Sequence, residues 1–129
     1  MTTRKNILLV DDEKNFLMSL SEGLGTLNKN LNVLTAEDGE EAMEILNSSK
    51  IDLLITDLKM PKKDGFDLLK HVLKYNPSMP AIVMTAHYDE NMFRGLNVIG
   101  WQCLEKPLDL DELSEQVSGL LEKVDRVCL

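Results

Sequence analysis

Five short apolar runs recur along the chain, and each breaks off into polar or turn residues before a stretch with helical spacing. They are Asn6 to Val10, Asn32 to Ala36, Leu53 to Ile55, Ala81 to Thr85 and Gln102 to Glu105. Runs this short and this continuous suit strands that are covered on both faces. Between and after them, apolar residues return at helical intervals. The first set is Phe16, Leu17, Leu20, Leu24 and Leu27, and the second is Ala42, Met43, Ile45 and Leu46. Phe66, Leu69, Val72 and Leu73 form the third, and Met92, Phe93 and Leu96 the fourth. Leu110, Leu113, Val117, Leu120, Leu121 and Val124 form the last. Asp38, Asp64 and Asp109 stand where side chains cap helix starts, and Asp89-Glu90 gives the fourth helix an acidic first turn. Asn28 to Asn30 and Asn76-Pro77 are stop signals, while Gly23 and Gly25 weaken the first helix by about 1 kcal/mol each.

Strict alternation of strand and helix predicts an α/β fold with a five-stranded parallel sheet and right-handed crossovers covering both faces. All strands then point one way, and their carboxyl ends share one rim, where open sheets bind ligands at the switch point in strand order. The flavodoxin-like doubly wound order 2-1-3-4-5 is the expected arrangement.

At 129 residues this is one domain of ordinary size. The net charge of −8 works against binding nucleic acid or anionic lipid and favours a cation or a basic partner. No apolar run near the start has the length of a signal peptide or membrane span, since Ile7 to Val10 meets Asp11 and Asp12 at once, so the expected location is the cytoplasm. Cys103, inside a strand, and Cys128, near the end, form neither a disulfide framework nor a zinc-ligand spacing.

The chemistry gathers on the rim. Asp11 and Asp12 follow the first strand, Asp57 ends the third, Thr85 the fourth, and Lys106 follows the fifth. If the first strand lies between the second and third, the acidic pair and Asp57 are neighbours at about 4.8 Å, one strand spacing. Two carboxylates about 5 Å apart repel by on the order of 3 kcal/mol at an effective dielectric near 20, so the cluster calls for a cation. Only hard oxygen ligands are at hand, and Mg²⁺ fits them. Asp57 is then a candidate nucleophile for a phosphoryl group, Lys106 a fixed cationic donor and Thr85 a hydroxyl donor. The blander readings are Asp11 and Asp12 as helix caps, Thr85 as an ordinary strand residue and Lys106 as a surface lysine.

With Asp11-Asp12 after LLV, the segment Asp57-Leu-Lys-Met60-Pro61-Lys-Lys-Asp64-Gly65, Thr85-Ala86 and Lys106-Pro107, nearly the whole chain resembles the receiver domains of two-component response regulators. The resemblance implies that residues 1–129 are one phosphoacceptor domain and that Asp57 takes phosphate from a sensor histidine kinase or phosphotransfer protein. It implies that Asp11, Asp12, Asp57 and the Lys59 backbone carbonyl hold Mg²⁺, with Asp11 acting through a metal-bound water. Lys106 and Thr85 bind the phosphoryl oxygens, and Lys106-Pro107 is cis. The surface of the fourth helix, fifth strand and last helix carries the output, as a homodimer or partner face, and the only catalysis is the domain's own phosphorylation and dephosphorylation. Cys103 occupies the position where that family usually carries a Tyr or Phe, and Met92, Phe93, Val98 and Ile99 offer surplus apolar surface nearby. Trp101 is a possible fluorescence reporter of metal binding. Against a pseudo-receiver stand the intact Asp11, Asp12, Asp57, Thr85 and Lys106. An aspartate-nucleophile phosphatase resembles Asp-x-Asp after the first strand, where this chain has Asp-Asp-Glu, and no phosphate loop for a flavin follows that strand.

Overall fold

The computed structural model describes residues 4–58, 60, 65–87 and 89–127, with side chains as far as Glu122. Ten elements alternate: β1 (Lys5–Val10), α1 (Lys14–Leu27), β2 (Leu31–Ala36), α2 (Gly39–Ser48), β3 (Leu53–Asp57), α3 (Gly65–Tyr75), β4 (Ala81–Thr85), α4 (Glu90–Val98), β5 (Gln102–Glu105) and α5 (Leu110–Val127). The strands form one parallel sheet in the order β2-β1-β3-β4-β5, which is the flavodoxin-like doubly wound arrangement.

The pleat divides the strand side chains between two core layers. Leu8, Val10, Leu54, Ala81 and Val83 face one side with Ala42 of α2, Leu68, Leu69 and Val72 of α3 and Leu96 of α4. Ile7, Leu9, Leu53, Ile55, Ile82 and Met84 face the other with Leu17, Leu20 and Leu24 of α1 and Leu113, Val117, Leu120 and Leu121 of α5. Burial on both faces explains why these strands read as unbroken apolar runs.

Helix starts follow local side-chain chemistry. Asp38 accepts from the Glu41 N–H at 2.8 Å, Asp89 from Asn91 and Met92 at 2.9 and 3.3 Å, and Asp109 from Asp111 and Glu112 at 2.9 and 3.2 Å. Asp64 lies outside the described residues, as do Lys59 and Cys128.

Two expectations need correction. Phe66 and Leu73 are 47% and 42% exposed and Leu27 is 48% exposed, so the stripes of α3 and α1 are wider than the strips their neighbours cover. Met43, Ile45 and Leu46 only half bury, leaving Ala42 as the fully covered apolar side chain of α2. Trp101 is buried, and its indole N–H donates to the Met79 carbonyl at 3.3 Å, just before β4 begins. That is the end of the sheet opposite the rim. The four residues of β5, Gln102–Glu105, separate it from Lys106, a span of about 16 Å, so any response of the indole to a metal is relayed through the strand.

Candidate functional site on the carboxyl rim

β1 lies between β2 and β3, with Val10 opposite both Ala36 and Thr56, so the residues that follow β1 meet the end of β3. The Asp11 N–H donates to the Ala36 carbonyl at 3.1 Å, which fixes the turn off the strand. Asp11 is fully buried, Asp57 half-buried and Asp12 exposed, and a ligand oxygen from each lies within 4.8 Å of the others. Three hard oxygen donors at this spacing, one open to solvent, fit a magnesium ion that keeps several of its waters.

Lys106 ties the group together. Its N–H donates to the Thr85 carbonyl at 2.7 Å, and its Nζ donates to Asp11 Oδ2 at 2.8 Å and to Asp57 Oδ2 at 2.9 Å. The Lys106-Pro107 bond is cis, as expected from the resemblance. Both bonds are charge-assisted and largely screened from water, with 18% of the lysine side chain exposed. Burial pulls the lysine pKa down, but the two hydrogen bonds and the two nearby charges outweigh it and leave the pKa above the ordinary value. Asp11 moves the other way from what pairing alone would give. Its complete burial raises its pKa more than Lys106 and the Glu13 N–H lower it, and the Asp57 charge adds to the rise. The pair therefore favours a charged lysine, while the aspartate remains costly to ionise.

Asp11 also does what a turn-former does: its Oδ1 accepts from the Glu13 N–H at 2.9 Å while Oδ2 holds Lys106. The structural and chemical readings of this residue coexist, one oxygen to each. Thr85 is buried, and its hydroxyl donates to the His87 carbonyl and accepts from the His87 N–H, both at 3.1 Å. It reaches Lys106 through the backbone. Phe16 was read only as part of the α1 core stripe. Its ring lies under the Lys106 ammonium, 4.6 Å from centroid to Nζ. The available signal was its place one turn of helix beyond Asp12, next to the rim.

Cys103 pairs with Val83 across β4 and β5 and is half-buried. Burial and the Glu105 carboxylate raise its thiol pKa, which disfavours the thiolate.

An acidic triad and a lysine at the carboxyl ends of β1, β3 and β5 in a flavodoxin-like sheet define a rim built for a charged ligand. Residues 7–118 match the response regulator receiver domain family, and the chain belongs to that family. It is 37% identical over 119 residues to the transcriptional regulatory protein GlrR of Escherichia coli (strain K12), covering 92% of this chain and 26% of that protein. It is 38% identical over 118 residues to the transcriptional regulatory protein CpxR of the same strain, covering 91% of this chain and 49% of CpxR. The chain thus spans a quarter to a half of these relatives. Among solved structures, a response regulator receiver domain protein from Clostridium thermocellum superposes with a TM-score of 0.85 at 31% identity, covering 95% of this chain and 98% of that one. The signal receiver domain of a putative Luxo repressor protein from Vibrio parahaemolyticus gives 0.87 at 26% identity, with 97% of each chain covered. Among the described residues, no helix is long and apolar enough to cross a membrane.

Proposed function

We propose that residues 1–129 form the receiver domain of a cytoplasmic two-component regulator and that Asp57 accepts a phosphoryl group from the phosphohistidine of a sensor histidine kinase or phosphotransfer protein. The observation that carries this reading is the Lys106 ammonium bridging Asp11 and Asp57 at the rim. An oxygen of Asp57 forms the new P–O bond as the P–N bond to the donor imidazole breaks, and the electron pair leaves with the imidazole. Lys106, 2.9 Å from Asp57 Oδ2, is positioned to move onto a phosphoryl oxygen once the carboxylate has become an acyl phosphate. Thr85 supplies a hydroxyl to another oxygen, drawing the β4-α4 loop toward the phosphate. Asp11, Asp12 and Asp57, with the Lys59 carbonyl, would hold Mg²⁺, which neutralises charge on the transferring group. The domain is no enzyme beyond its own phosphorylation and dephosphorylation.

The output face is α4, β5 and α5, which binds a partner or a second copy. Val98 and Ile99 are 86% and 45% exposed at the end of α4. Beside them a hollow of about 340 Å³ is lined by Phe93, Asn97, Trp101, Gln102, Cys103 and Gln116. Among the described residues, the side-chain oxygens of Gln102 and Gln116 are buried there with no hydrogen-bond partner. Apolar surface and unsatisfied acceptors together support a face that a partner completes. With a net charge of −8, the domain does not itself bind nucleic acid or membranes.

Intact-mass measurement after treatment with acetyl phosphate and Mg²⁺ tests the phosphoacceptor. One phosphate adduct is expected on the parent chain and none on Asp57→Asn; an adduct persisting in the variant would overturn the assignment.

A further inference from the structure

The Lys106 ammonium carries three N–H groups, and carboxylates take two of them, Asp11 Oδ2 at 2.8 Å and Asp57 Oδ2 at 2.9 Å. A third contact comes from an element that holds none of the rim's charged groups. Nζ lies over the ring of Phe16, in the first turn of α1, 4.6 Å from the ring centroid. That is within the range where the electron-rich face of a ring attracts a cation. Phe16 is itself held in place, half-buried and packed against the core layer shared by α1 and α5. The ring is thus fixed by the core on one side and covers the lysine charge on the other.

We infer that Phe16 is a positioning residue for phosphoryl transfer at Asp57, an inference that rests on the phosphoacceptor reading above. A lysine is a compact charge on a flexible stem with many rotamers, and a donor aids the transition state most when it is already in place and shielded from water. The ring meets both needs. It restrains the end of the stem and occupies space from which water would otherwise solvate the ammonium. It also does so without a formal charge. A third carboxylate would compete with the phosphoryl oxygens for the lysine, whereas a ring face holds the cation while one N–H transfers from Asp57 to the new phosphoryl oxygen.

The test uses the chain with Phe16→Leu and Phe16→Tyr. Adduct formation from acetyl phosphate and Mg²⁺ is followed by intact mass, and the Lys106 ε-methylene protons by NMR. Phe16→Leu keeps apolar bulk and loses the ring face, so its rate should fall about threefold to tenfold, while Phe16→Tyr should stay within roughly twofold of the parent. The ε-methylene protons should be shifted upfield in the parent and in Phe16→Tyr and return to ordinary values in Phe16→Leu. A Phe16→Leu rate equal to the parent's, a Phe16→Tyr rate as low as that of Phe16→Leu, or unshifted lysine protons in the parent would each overturn the inference. Should Phe16→Leu unfold under the assay, Phe16→Met takes its place under the same criteria. If the parent itself takes no phosphate, the phosphoacceptor reading fails, and the proton shifts still decide whether the ring holds Lys106.

Discussion

Gly65 begins α3 directly against the end of β3, and replacing it with alanine should disturb the site from behind. A methyl group there would clash with the Asp57 carbonyl oxygen and lie 2.5 Å from Leu58 Cα and 3.0 Å from the Leu58 oxygen. All three are backbone atoms, so no side-chain rotation relieves the overlap. Backing α3 away strains the bond from the Gly65 N–H to the Leu58 carbonyl at 2.8 Å. Shifting Asp57 instead strains the bond its carbonyl accepts from the Thr56 hydroxyl, also at 2.8 Å. Overpacking costs about 1–3 kcal/mol and a weakened hydrogen bond about 1 kcal/mol more. Alanine's helical advantage offsets at most about 1 kcal/mol. The expected net loss is about 1–3 kcal/mol, read as a lower urea midpoint, together with slower acetyl phosphate labelling because the carboxylate is displaced. Gly25 in α1 is the control, since nothing lies within 4 Å of an added methyl. Gly25→Ala should gain about 0.5–1 kcal/mol without changing the labelling rate. A Gly65→Ala protein as stable and as readily labelled as the parent would refute the reasoning.

Asp12→Ala removes the exposed carboxylate of the triad, so Mg²⁺-dependent labelling should be lost while the unfolding midpoint holds; an unchanged rate would place the metal elsewhere. Because burial raises the Asp11 pKa above its ordinary 3.8, the folded state binds this proton more tightly than the unfolded state does. Its contribution to stability is therefore fully present below pH 3.8 and lost as pH rises through the folded value. Asp11→Asn should gain stability relative to the parent as pH rises from 4 toward neutrality, and a difference that stays flat or reverses in denaturation series would contradict this. Gly100 has a φ of +85°, so Gly100→Ala should cost about 1–2 kcal/mol by denaturant titration, and no loss would mean that the turn before Trp101 relaxes freely.

The strands were legible because burial on both faces leaves a continuous apolar signature, and Asp57 stood out because that signature ends there. Helix starts were legible where an aspartate caps them, as at Asp38 and Asp109, and at α4 through the acidic pair Asp89-Glu90, of which Asp89 proves to be the cap. Period tells which way a helix faces but not how much of it is covered, and so Phe66, Leu73 and Leu27 keep the helical spacing of their stripes yet lie exposed. The rim's composition followed from strand ends and strand order. Its wiring did not, because Lys106 and Asp11 are 95 residues apart and no local pattern records which carboxylate oxygen a lysine chooses. The setting of Trp101 was not legible, because no local pattern records that its indole meets the Met79 carbonyl at the end of the sheet away from the rim.

The Thr85 hydroxyl both gives a bond to His87 and takes one from it. An anion on the rim that recruits this hydroxyl as a donor must first undo the bond given to the His87 carbonyl. At about 0.5–1.5 kcal/mol net for that bond, the closed arrangement is favoured by an occupancy ratio on the order of 2 to 12 to one. This donated bond is a threshold. A weakly interacting anion that binds at the rim leaves the loop where it is, and only a group that returns more than this to Thr85 shifts the balance.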